Sequence, residues 1–403
     1  MAAGEIPCEN LPPLRGVRVG TVMAGIRKAN RRDLVVFTLP PGAITAAVFT
    51  RNAFCAAPVI VARAHRATTT PQAWLINTGN ANAGTGSAGE ADARDCCAAL
   101  ARLLDCAPEA VLPFSTGVIG ERLPVATLTK ALPAAVAALR PDGWADAAWG
   151  IMTTDTQPKA VSRSFSVAGQ TVTMNGIAKG AGMIRPDMAT MLAFLAVDAR
   201  IAAPALQSAL EHAVAQSFNC ITVDGDTSTN DACCLAASGD GPALAPDCPE
   251  WPIFQAALDE VCLKLAQAIV RDGEGATKFI TVRIEGARDA LEARQVADAI
   301  AHSPLIKTAF FASDPNWGRI LAAVGRAGMA DLVLERVEID LDEVSVVRQG
   351  GLDPDYREAD GQAVMARTDI TITVRLGRGT EAVRIWTCDL GHDYVRINAE
   401  YRT

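Results

Sequence analysis

Thr190 stands between a glycine-rich loop and an apolar run, a position that suits a self-processing nucleophile. The loop reads Ala178-Lys179-Gly180-Ala181-Gly182-Met183-Ile184-Arg185-Pro186-Asp187-Met188-Ala189, and the apolar residues 191–197 follow Thr190 at once. If the Thr190 hydroxyl attacks the Ala189 carbonyl, the peptide bond breaks, water then hydrolyses the resulting ester, and Thr190 becomes a new N-terminus. Its α-amine would titrate at about 7.7–8.0 and could activate its own hydroxyl. The same string also fits an ordinary glycine-rich turn before a buried strand.

Two further turns carry groups that acyl transfer needs. In Pro113-Phe114-Ser115-Thr116-Gly117-Val118-Ile119-Gly120, the Thr116 hydroxyl and the Gly117 N–H could point the same way, as donors to an oxyanion must. Met152-Thr153-Thr154-Asp155-Thr156-Gln157-Pro158-Lys159 gathers hydroxyls and charges that suit a carboxylate or zwitterionic ligand. By themselves, the first string is better explained as a plain turn, and the second equally well as a solvated one.

A third polar string, Asp272-Gly273-Glu274-Gly275-Ala276-Thr277-Lys278, places Glu274 between two glycines at a predicted helix end. This carboxylate could orient an amine or assist proton transfer, or it could be an exposed charge beside a capping glycine. Residues 224–231 fail as a calcium loop, because the sixth position is Thr229 and the twelfth is Leu235. We therefore expect a polar loop near the site, and no metal.

Other common site types are disfavoured by missing patterns. Residues 77–84 lack the lysine and the glycine spacing of nucleotide-binding loops. No G-x-S-x-G string occurs, and none of the four histidines lies in a recognisable catalytic string, which argues against a histidine-dependent serine hydrolase. The cysteines number eleven, without C-x-x-C, and favour neither a disulfide framework nor a zinc site.

Alternating helix and strand patterns must position these groups. A capping box at Ser87-Ala88-Gly89-Glu90 predicts the start of one helix, and apolar spacing predicts two more over 206–217 and 254–269. Buried strands are predicted at 34–39, 73–77 and 191–197, and residues 370–376 and 382–387 are predicted to form a hairpin. This order favours an α+β fold with helices packed on mixed sheets, and a smaller domain beginning near Gly286.

Composition restricts the partners and the location. The chain has 403 residues, a formal charge of −8, 50% hydrophobic and 20% charged residues, so we expect no nucleic-acid or membrane partner. The first residues show neither a basic start nor an apolar segment, and no apolar run approaches the ~18 residues of a membrane helix. These features predict a cytoplasmic protein.

Nine strings, in order along nearly the whole chain, resemble the ornithine acetyltransferase family, ArgJ. They are residues 77–84, Ser115-Thr116-Gly117, Thr153-Thr154-Asp155-Thr156, Lys179-Gly180-Ala181-Gly182-Met183, Met188-Ala189-Thr190-Met191-Leu192, residues 224–231, 273–278 and 314–319, and Asn398-Ala399-Glu400-Tyr401-Arg402-Thr403. One such string would be weak evidence, whereas nine in the family's order are strong evidence.

This resemblance implies a ping-pong transfer of acetyl from N2-acetyl-L-ornithine to L-glutamate, through an acetyl ester of Thr190, in L-arginine biosynthesis. It implies that Thr116 and Gly117 form the oxyanion hole, and that the substrate site consists of Thr153, Lys179, Thr190, Glu274, Asn398 and Thr403. Acetyl-CoA is left open as a second donor, and no other cofactor is expected.

The resemblance also implies an architecture. It implies an N-terminal-nucleophile-like αββα fold, in which residues 1–189 form an alpha chain and residues 190–285 complete the core from the beta chain. Residues 286–403 would form a smaller C-terminal α/β domain whose last residues return to the active site. Two alpha and two beta chains would assemble into a heterotetramer.

Two other functions remain open from the sequence. A self-processing N-terminal-threonine aminopeptidase or amidase of the same fold would pass the acyl group to water instead of glutamate. A non-catalytic binding protein would stay uncut, with Thr190 as an ordinary strand residue.

Overall fold

The computed structural model describes residues 2–185, 191–329 and 331–400. Its strands are β1 Arg18–Val22, β2 Leu34–Thr38, β3 Ile44–Phe49, β4 Ala73–Asn80, β5 Val111–Val118, β6 Lys159–Val167, β7 Gln170–Lys179, β8 Leu192–Val197, β9 Arg200–Ile201, β10 Ala232–Ala237, β11 Ala243–Leu244, β12 Phe279–Ala287, β13 Glu338–Leu341, β14 Val344–Arg348, β15 Gly351–Leu352, β16 Asp369–Arg375 and β17 Glu381–Cys388. Its α-helices are α1 Ala57–Thr68, α2 Gly86–Leu104, α3 Val125–Ala137, α4 Trp144–Gly150, α5 Ala203–Gln216, α6 Trp251–Arg271, α7 Ala290–Ala301, α8 Pro304–Phe311, α9 Trp317–Gly325, α10 Glu358–Met365 and α11 His392–Ala399.

Two mixed sheets lie face to face in the N-terminal part of the chain. One has the strand order β1-β2-β4-β5, and the other has the order β3-β10-β8-β7-β6. Parallel pairing occurs between β4 and β5 in the first and between β8 and β10 in the second. One apolar core takes Val35 and Trp74 from the first sheet, and Ile177 and Phe194 from the second. The sheets therefore bury one face of each against the other.

Phe194 fixes β8 against the opposite sheet. Its ring centroid lies 5.9 Å from that of Phe37, 5.7 Å from that of Trp74 and 5.1 Å from that of Phe114. Each such aromatic pair contributes about 0.5–1.5 kcal/mol beyond the area it buries. The strand that follows the predicted nucleophile is thus held firmly in the core.

Helices cover the outer face of each sheet. Leu100 of α2 and Leu132 of α3 belong to a core under the first sheet, while Leu210 of α5 and Leu265 of α6 belong to a core on the second. The layers are therefore helix, sheet, sheet, helix, which confirms the predicted α+β fold with helices on two mixed sheets. The predicted strands at 34–39, 73–77 and 191–197 are also confirmed, as β2, β4 and β8.

The predicted capping box is wrong. Helix α2 begins at Gly86, with Thr85 as N-cap and no side-chain capping bond, so Ser87 lies inside the first turn. The Thr85 hydroxyl instead donates to Asn82 Oδ1 at 2.8 Å. Asn82 lies in the loop before α2, so the pattern of residues 87–90 does not reveal this contact.

A six-stranded sheet with the order β15-β14-β13-β16-β12-β17 forms the C-terminal part. The predicted hairpin between β16 and β17 is wrong, because β12 lies between them, parallel to β16 and antiparallel to β17. The loop after β16 crosses the end of β12, where Arg378 N–H and Gly379 N–H both donate to the Gly286 carbonyl. Spanning one intervening strand requires roughly 9–10 Å, which this loop can reach and a tight hairpin turn cannot.

Strand β12 is the first strand of the six-stranded sheet along the chain, and it includes residue 286, near which we expected the smaller domain to begin.

Among the helices in the described part of the chain, none is long and apolar enough to cross a membrane.

Candidate active site

A cavity of about 250 Å³ lies at the start of β8, where β5 and β7 end. Six residues proposed for the site from the sequence line it: Thr116, Gly117, Thr153, Lys179, Glu274 and Asn398. They come from five separate segments of the chain, and Met191 lines the same cavity. Of the other proposed site residues, Ala189, Thr190 and Thr403 lie outside the described residues.

The end of β5 presents Thr116 and Gly117 to the cavity. Gly117 has φ +138°, and a Cβ there would lie 2.3 Å from the Gly79 carbonyl carbon. Only glycine fits this close approach of β4 and β5, because a side chain would push the strands apart. The Thr116 Oγ1 atom accepts a hydrogen bond from Lys179 Nζ at 3.2 Å. A hydroxyl and a backbone N–H in the cavity wall are the donors that an oxyanion hole needs.

Lys179 is the last residue of β7 and lies opposite Leu192 in the pairing of β7 with β8. Lys179 and Leu192 both line the cavity, and Leu192 follows Thr190 by two positions. Burial lowers the pKa of Lys179, although Asp155, Asp231 and Glu274 oppose that shift. A buried ammonium whose charge is only partly compensated gains most from an anionic ligand.

Behind the cavity, Lys159 joins two carboxylates in a fully buried ion-pair network. Its Nζ lies 2.7 Å from Asp155 Oδ1 and 2.6 Å from Asp272 Oδ2, and all three side chains are 0% exposed. Burial alone would raise the pKa of Asp155, but the ammonium groups of Lys159 and Lys179 and the Gly180 N–H hold it well below its usual range. Burial alone would lower the pKa of Lys159, but the two carboxylates raise it.

This network ties three cavity segments together. Asp155 accepts from Thr153 N–H at 2.9 Å and from Gly180 N–H at 2.7 Å. Asp272 accepts from Thr156 N–H at 2.9 Å and lies two residues before Glu274. The charges of residues 152–159 are therefore neither ligand-binding groups nor solvated ones, the two interpretations that the sequence left open.

Glu274 occupies space that a glycine leaves free. A Cβ on Gly182 would lie 2.4 Å from Glu274 Cδ. Helix α11 reaches the same carboxylate, since Asn398 Nδ2 donates to Glu274 Oε2 at 2.7 Å. Asn398 therefore brings the C-terminal helix back to the cavity, and Glu274 lines it as a buried carboxylate.

Asp224 holds the chain just before the undescribed residues 186–190. Its carboxylate accepts from Met183 N–H at 2.6 Å and from Ile184 N–H at 2.9 Å. The Tyr394 hydroxyl of α11 donates to the same carboxylate at 3.2 Å. The polar loop that contains Asp224 was expected near the site, and its residues Ser228–Asp231 line the cavity wall, which confirms that expectation.

Asparagine side chains at the end of β4 form hydrogen bonds that stabilise the cavity wall. Asn77 Oδ1 accepts from the Ser115 hydroxyl at 2.6 Å, and Asn80 Oδ1 accepts from Asn82 N–H at 2.8 Å. From the facing loop, Asn230 Nδ2 donates to the Ser115 carbonyl at 2.9 Å. These bonds hold the backbone next to Thr116.

Sequence reasoning missed the role of the Asp155–Lys159–Asp272 network. Lys159 and Asp272 are 113 residues apart, so no local spacing signals their contact. The one sequence signal is that Lys159 stands at the start of the run Lys159-Ala160-Val161, directly before apolar residues.

The four-layer fold, with a polar cavity at the start of an inner strand, defines the N-terminal-nucleophile-like αββα class. The chain belongs to the ArgJ family, whose model matches residues 18–403. It is 58% identical over 395 residues to the arginine biosynthesis bifunctional protein ArgJ of Methylococcus capsulatus, covering 98% of this chain and 97% of that protein.

Two solved structures are also similar. Arginine biosynthesis bifunctional protein ArgJ from Bacillus halodurans is 42% identical, with a TM-score of 0.48 over 51% of this chain and 96% of that one. The ornithine acetyltransferase of Mycobacterium tuberculosis, solved with ornithine, is 34% identical, with a TM-score of 0.38 over 43% of this chain and 93% of that one.

Proposed function

We propose that this chain cuts itself between Ala189 and Thr190 and then transfers acetyl from N2-acetyl-L-ornithine to L-glutamate. The observation that carries the proposal is the convergence of Thr116, Lys179 and Glu274 on one cavity at the start of β8. Membership in the ArgJ family and the name of the Methylococcus relative support arginine biosynthesis as the context.

In the first half-reaction, Thr190 Oγ attacks the acetyl carbonyl carbon of acetylornithine. The hydroxyl proton passes to the Thr190 α-amine and then to the leaving nitrogen, so that ornithine departs as an amine. The Thr116 hydroxyl and Gly117 N–H stabilise the oxyanion. In the second half-reaction the glutamate amine attacks the acetyl ester, the C–O bond breaks, and the proton returns to Thr190.

The lining residues fit an amino-acid substrate. The Lys179 ammonium suits an α-carboxylate and the Glu274 carboxylate suits an amine, because each is buried beside the cavity. Thr153, Asn398 and Thr403 complete the substrate site in this proposal. Acetyl-CoA serves as a second donor, and no other cofactor is required.

The assembly in this proposal is the one that the family resemblance implies, and the location is the one that the composition and the first residues predict. Residues 1–189 form the alpha chain, residues 190–403 form the beta chain with a smaller domain from 286, and two of each make a cytoplasmic heterotetramer.

Intact mass under denaturing conditions is the first test. We expect two chains, one ending at Ala189 and one beginning at Thr190, and a single 42.2 kDa chain for the Thr190→Ala variant. With acetylornithine and no glutamate, the Thr190 chain should gain the mass of one acetyl group. A wild-type chain that stays whole after long incubation would contradict the proposal.

The second test separates transfer from hydrolysis. We expect continued ornithine release to require glutamate, because only glutamate regenerates Thr190 efficiently. Glutamate-independent release at the same rate would favour an amidase with the same nucleophile.

A further inference from the structure

Asp224 holds a strained residue on the upstream side of the proposed cut. Met183 has φ +56°, in the left-handed region that residues other than glycine seldom adopt. Its side chain is 40% exposed, so close packing does not account for this conformation. Instead, Met183 N–H donates to Asp224 Oδ2 at 2.6 Å, and Ile184 N–H donates to Asp224 Oδ1 at 2.9 Å. The carboxylate therefore stabilises a strained turn shortly before Ala189.

The chain is anchored on both sides of the proposed cut. Upstream, the Ile184 carbonyl accepts from Val223 N–H at 2.7 Å and from the Thr222 hydroxyl at 2.9 Å. Downstream, the Met191 carbonyl accepts from Ala232 N–H at 3.1 Å. Attack of a hydroxyl on a carbonyl needs the reacting atoms about 3–3.5 Å apart, and a misplacement of about 1 Å can cost about a hundredfold in rate. The anchors therefore bear directly on the rate of cutting.

Helix α11 docks beside the upstream anchor through polar contacts. None of its eight residues, all of which the structure describes, is buried. The Tyr394 hydroxyl donates to Asp224 Oδ2 at 3.2 Å, and Asn398 Nδ2 donates to Glu274 Oε2 at 2.7 Å. A Cβ on Gly275 would lie 2.8 Å from the Tyr394 backbone nitrogen, so the helix also approaches the loop around Gly275 closely. Hydrogen bonds, and not a buried apolar face, therefore hold α11 in place.

This helix depends on its partners to form. An isolated helix shorter than about 12–15 residues is marginal in water, so α11 should form only when it docks. Its partners Asp224 and Glu274 must then be in place before it. One carboxylate oxygen, Asp224 Oδ2, accepts from both Met183 N–H and the Tyr394 hydroxyl. That oxygen joins the last helix of the described chain to the strained turn before the cut.

We propose that docking of α11 completes the geometry for self-cutting, with Tyr394 and Asp224 as positioning residues. This inference rests on the proposed function and adds a requirement for its first step. In that step Thr190 Oγ bonds to the Ala189 carbonyl carbon, the peptide C–N bond breaks, and the hydroxyl proton passes to the Thr190 nitrogen. Water then hydrolyses the ester. Tyr394 acts by fixing the Asp224 carboxylate, which in turn fixes the backbone at Met183.

The test compares the rate of cutting in Tyr394→Phe with that in Tyr356→Phe. Each variant loses one phenolic hydroxyl that donates to a carboxylate, but Tyr356 donates to Glu358 at 3.1 Å and packs against the core of the six-stranded sheet. We expect Tyr394→Phe to cut about tenfold more slowly than the wild type, as loss of one hydrogen bond to a charged group would give. Tyr356→Phe should cut at the wild-type rate. Intact masses of newly made chains, sampled over time from a cell-free translation, measure these rates.

A double variant tests whether Tyr394 acts through Asp224. We expect Asp224→Ala to cut more slowly than Tyr394→Phe, because both backbone donors of the turn lose their acceptor. Adding Tyr394→Phe to Asp224→Ala should slow the cut no further, since the hydroxyl has no carboxylate left to fix. Additive slowing would overturn the coupling between the two residues.

Transfer by the fully cut enzyme separates positioning of the cut from damage to the fold. Tyr394→Phe should then have kcat/KM for acetylornithine close to the wild-type value, because Thr190 is no longer joined to the turn that Asp224 holds. A loss of transfer as large as the slowing of the cut would place the effect in the substrate site and overturn this inference. Cutting of Tyr394→Phe at the wild-type rate, or equal slowing in Tyr356→Phe, would overturn it as well. A wild-type chain that never cuts would contradict the proposed function itself.

Discussion

At the scale of residues, two buried lysines on paired strands show opposite pKa shifts. Lys159 begins β6 and has two carboxylates within 2.7 Å, so its pKa is raised. Lys179 ends β7, and burial lowers its pKa because charged neighbours compensate it less completely. Lys159 is therefore a permanent structural cation. Binding of a carboxylate ligand beside Lys179 would be favourable, because the charge of Lys179 is less completely compensated.

Replacing Lys159 by methionine should strongly destabilise the fold. The variant leaves Asp155 and Asp272 buried without their cation, which costs about 3–5 kcal/mol in the free energy of unfolding. Denaturant unfolding of the uncut Thr190→Ala background measures this. Lys264→Met is the control, because Lys264 is 39% exposed and its pair with Glu260 should contribute less than about 1 kcal/mol. Equal losses for the two variants would contradict a structural role for the network.

The pH dependence of that difference follows from the two shifts. A raised pKa means that the Lys159 contribution is present below its ordinary value of 10.5 and is lost as the pH rises through the raised value. A lowered pKa means that the Asp155 contribution is present above 3.8 and is lost as the pH falls through the lowered value. The difference between wild type and Lys159→Met should therefore be largest between these limits.

At the scale of elements, the cavity is built where segments end. Strands β5 and β7 end at it, β8 begins at it, and α6 ends two residues before Gly273. Helix α11 closes it through Asn398, and the Tyr394 hydroxyl connects the same helix to Asp224. Two glycines allow close approaches here: a Cβ on Gly182 would lie 2.4 Å from Glu274 Cδ, and a Cβ on Gly275 would lie 2.8 Å from the Tyr394 backbone nitrogen.

Gly182→Ala should impair catalysis without disrupting the sheets. Its Cβ would lie 2.4 Å from Glu274 Cδ, so the carboxylate must move away from the substrate amine. We expect kcat/KM for acetylornithine to fall about tenfold or more, consistent with loss of a hydrogen bond to a charged group. Steady-state kinetics on the fully cut enzyme measures the effect.

Gly325→Ala provides the matched control. A Cβ there meets nothing within 4 Å, so activity and melting temperature should stay at the wild-type values. Unchanged kcat/KM in Gly182→Ala would mean that Glu274 does not orient the substrate.

Local sequence patterns predicted elements that depend on neighbouring residues, and missed those that depend on distant ones. Strands β2, β4 and β8 follow from apolar runs because each is buried on both faces. The hairpin of β16 with β17 was wrong, since the parallel pairing of β12 with β16 joins residues about ninety positions apart, such as Ile280 and Ile370. The structural role of Lys159 was missed for the same reason, because its partner Asp272 belongs to a distant segment of the chain.

The candidate site residues show the same difference between what local patterns predict and what distant contacts determine. Local chemistry suggested Thr116, Gly117 and Glu274 as candidates but could not distinguish them from ordinary turns. Family resemblance brought them together with Lys179 and Asn398, and the cavity contains all five.

At the scale of the whole molecule, the proposed cut divides one sheet between two chains. In the order β3-β10-β8-β7-β6, strands β8 and β10 follow the cut, whereas β3, β7 and β6 precede it. The strands of the second chain lie between strands of the first, with six paired positions on each side. This interleaving would hold the two chains of the proposed cut together without a covalent bond.

Cutting should make unfolding depend on protein concentration. The unfolded mature enzyme is two chains, so dilution favours it by mass action, whereas the uncut Thr190→Ala chain unfolds as one. We expect the melting temperature of the mature enzyme to rise with concentration, and that of Thr190→Ala to stay constant. Scanning calorimetry over a wide concentration range measures both. A melting temperature of the mature enzyme that does not change with concentration would show that the chains do not separate on unfolding.

The interleaved sheet also fixes an order of events during synthesis. When the ribosome has made only the residues before the cut, β3 and β7 have no neighbours on the sides that β10 and β8 will occupy. Both strands then present open edges of unpaired backbone groups, which favour association with other nascent chains. Strand β8 can cover the edge of β7 once residue 197 has emerged, but the edge of β3 stays open until residue 237 has emerged and β10 can pair with it. A product truncated before that point should aggregate, whereas one truncated after β10 has a complete sheet.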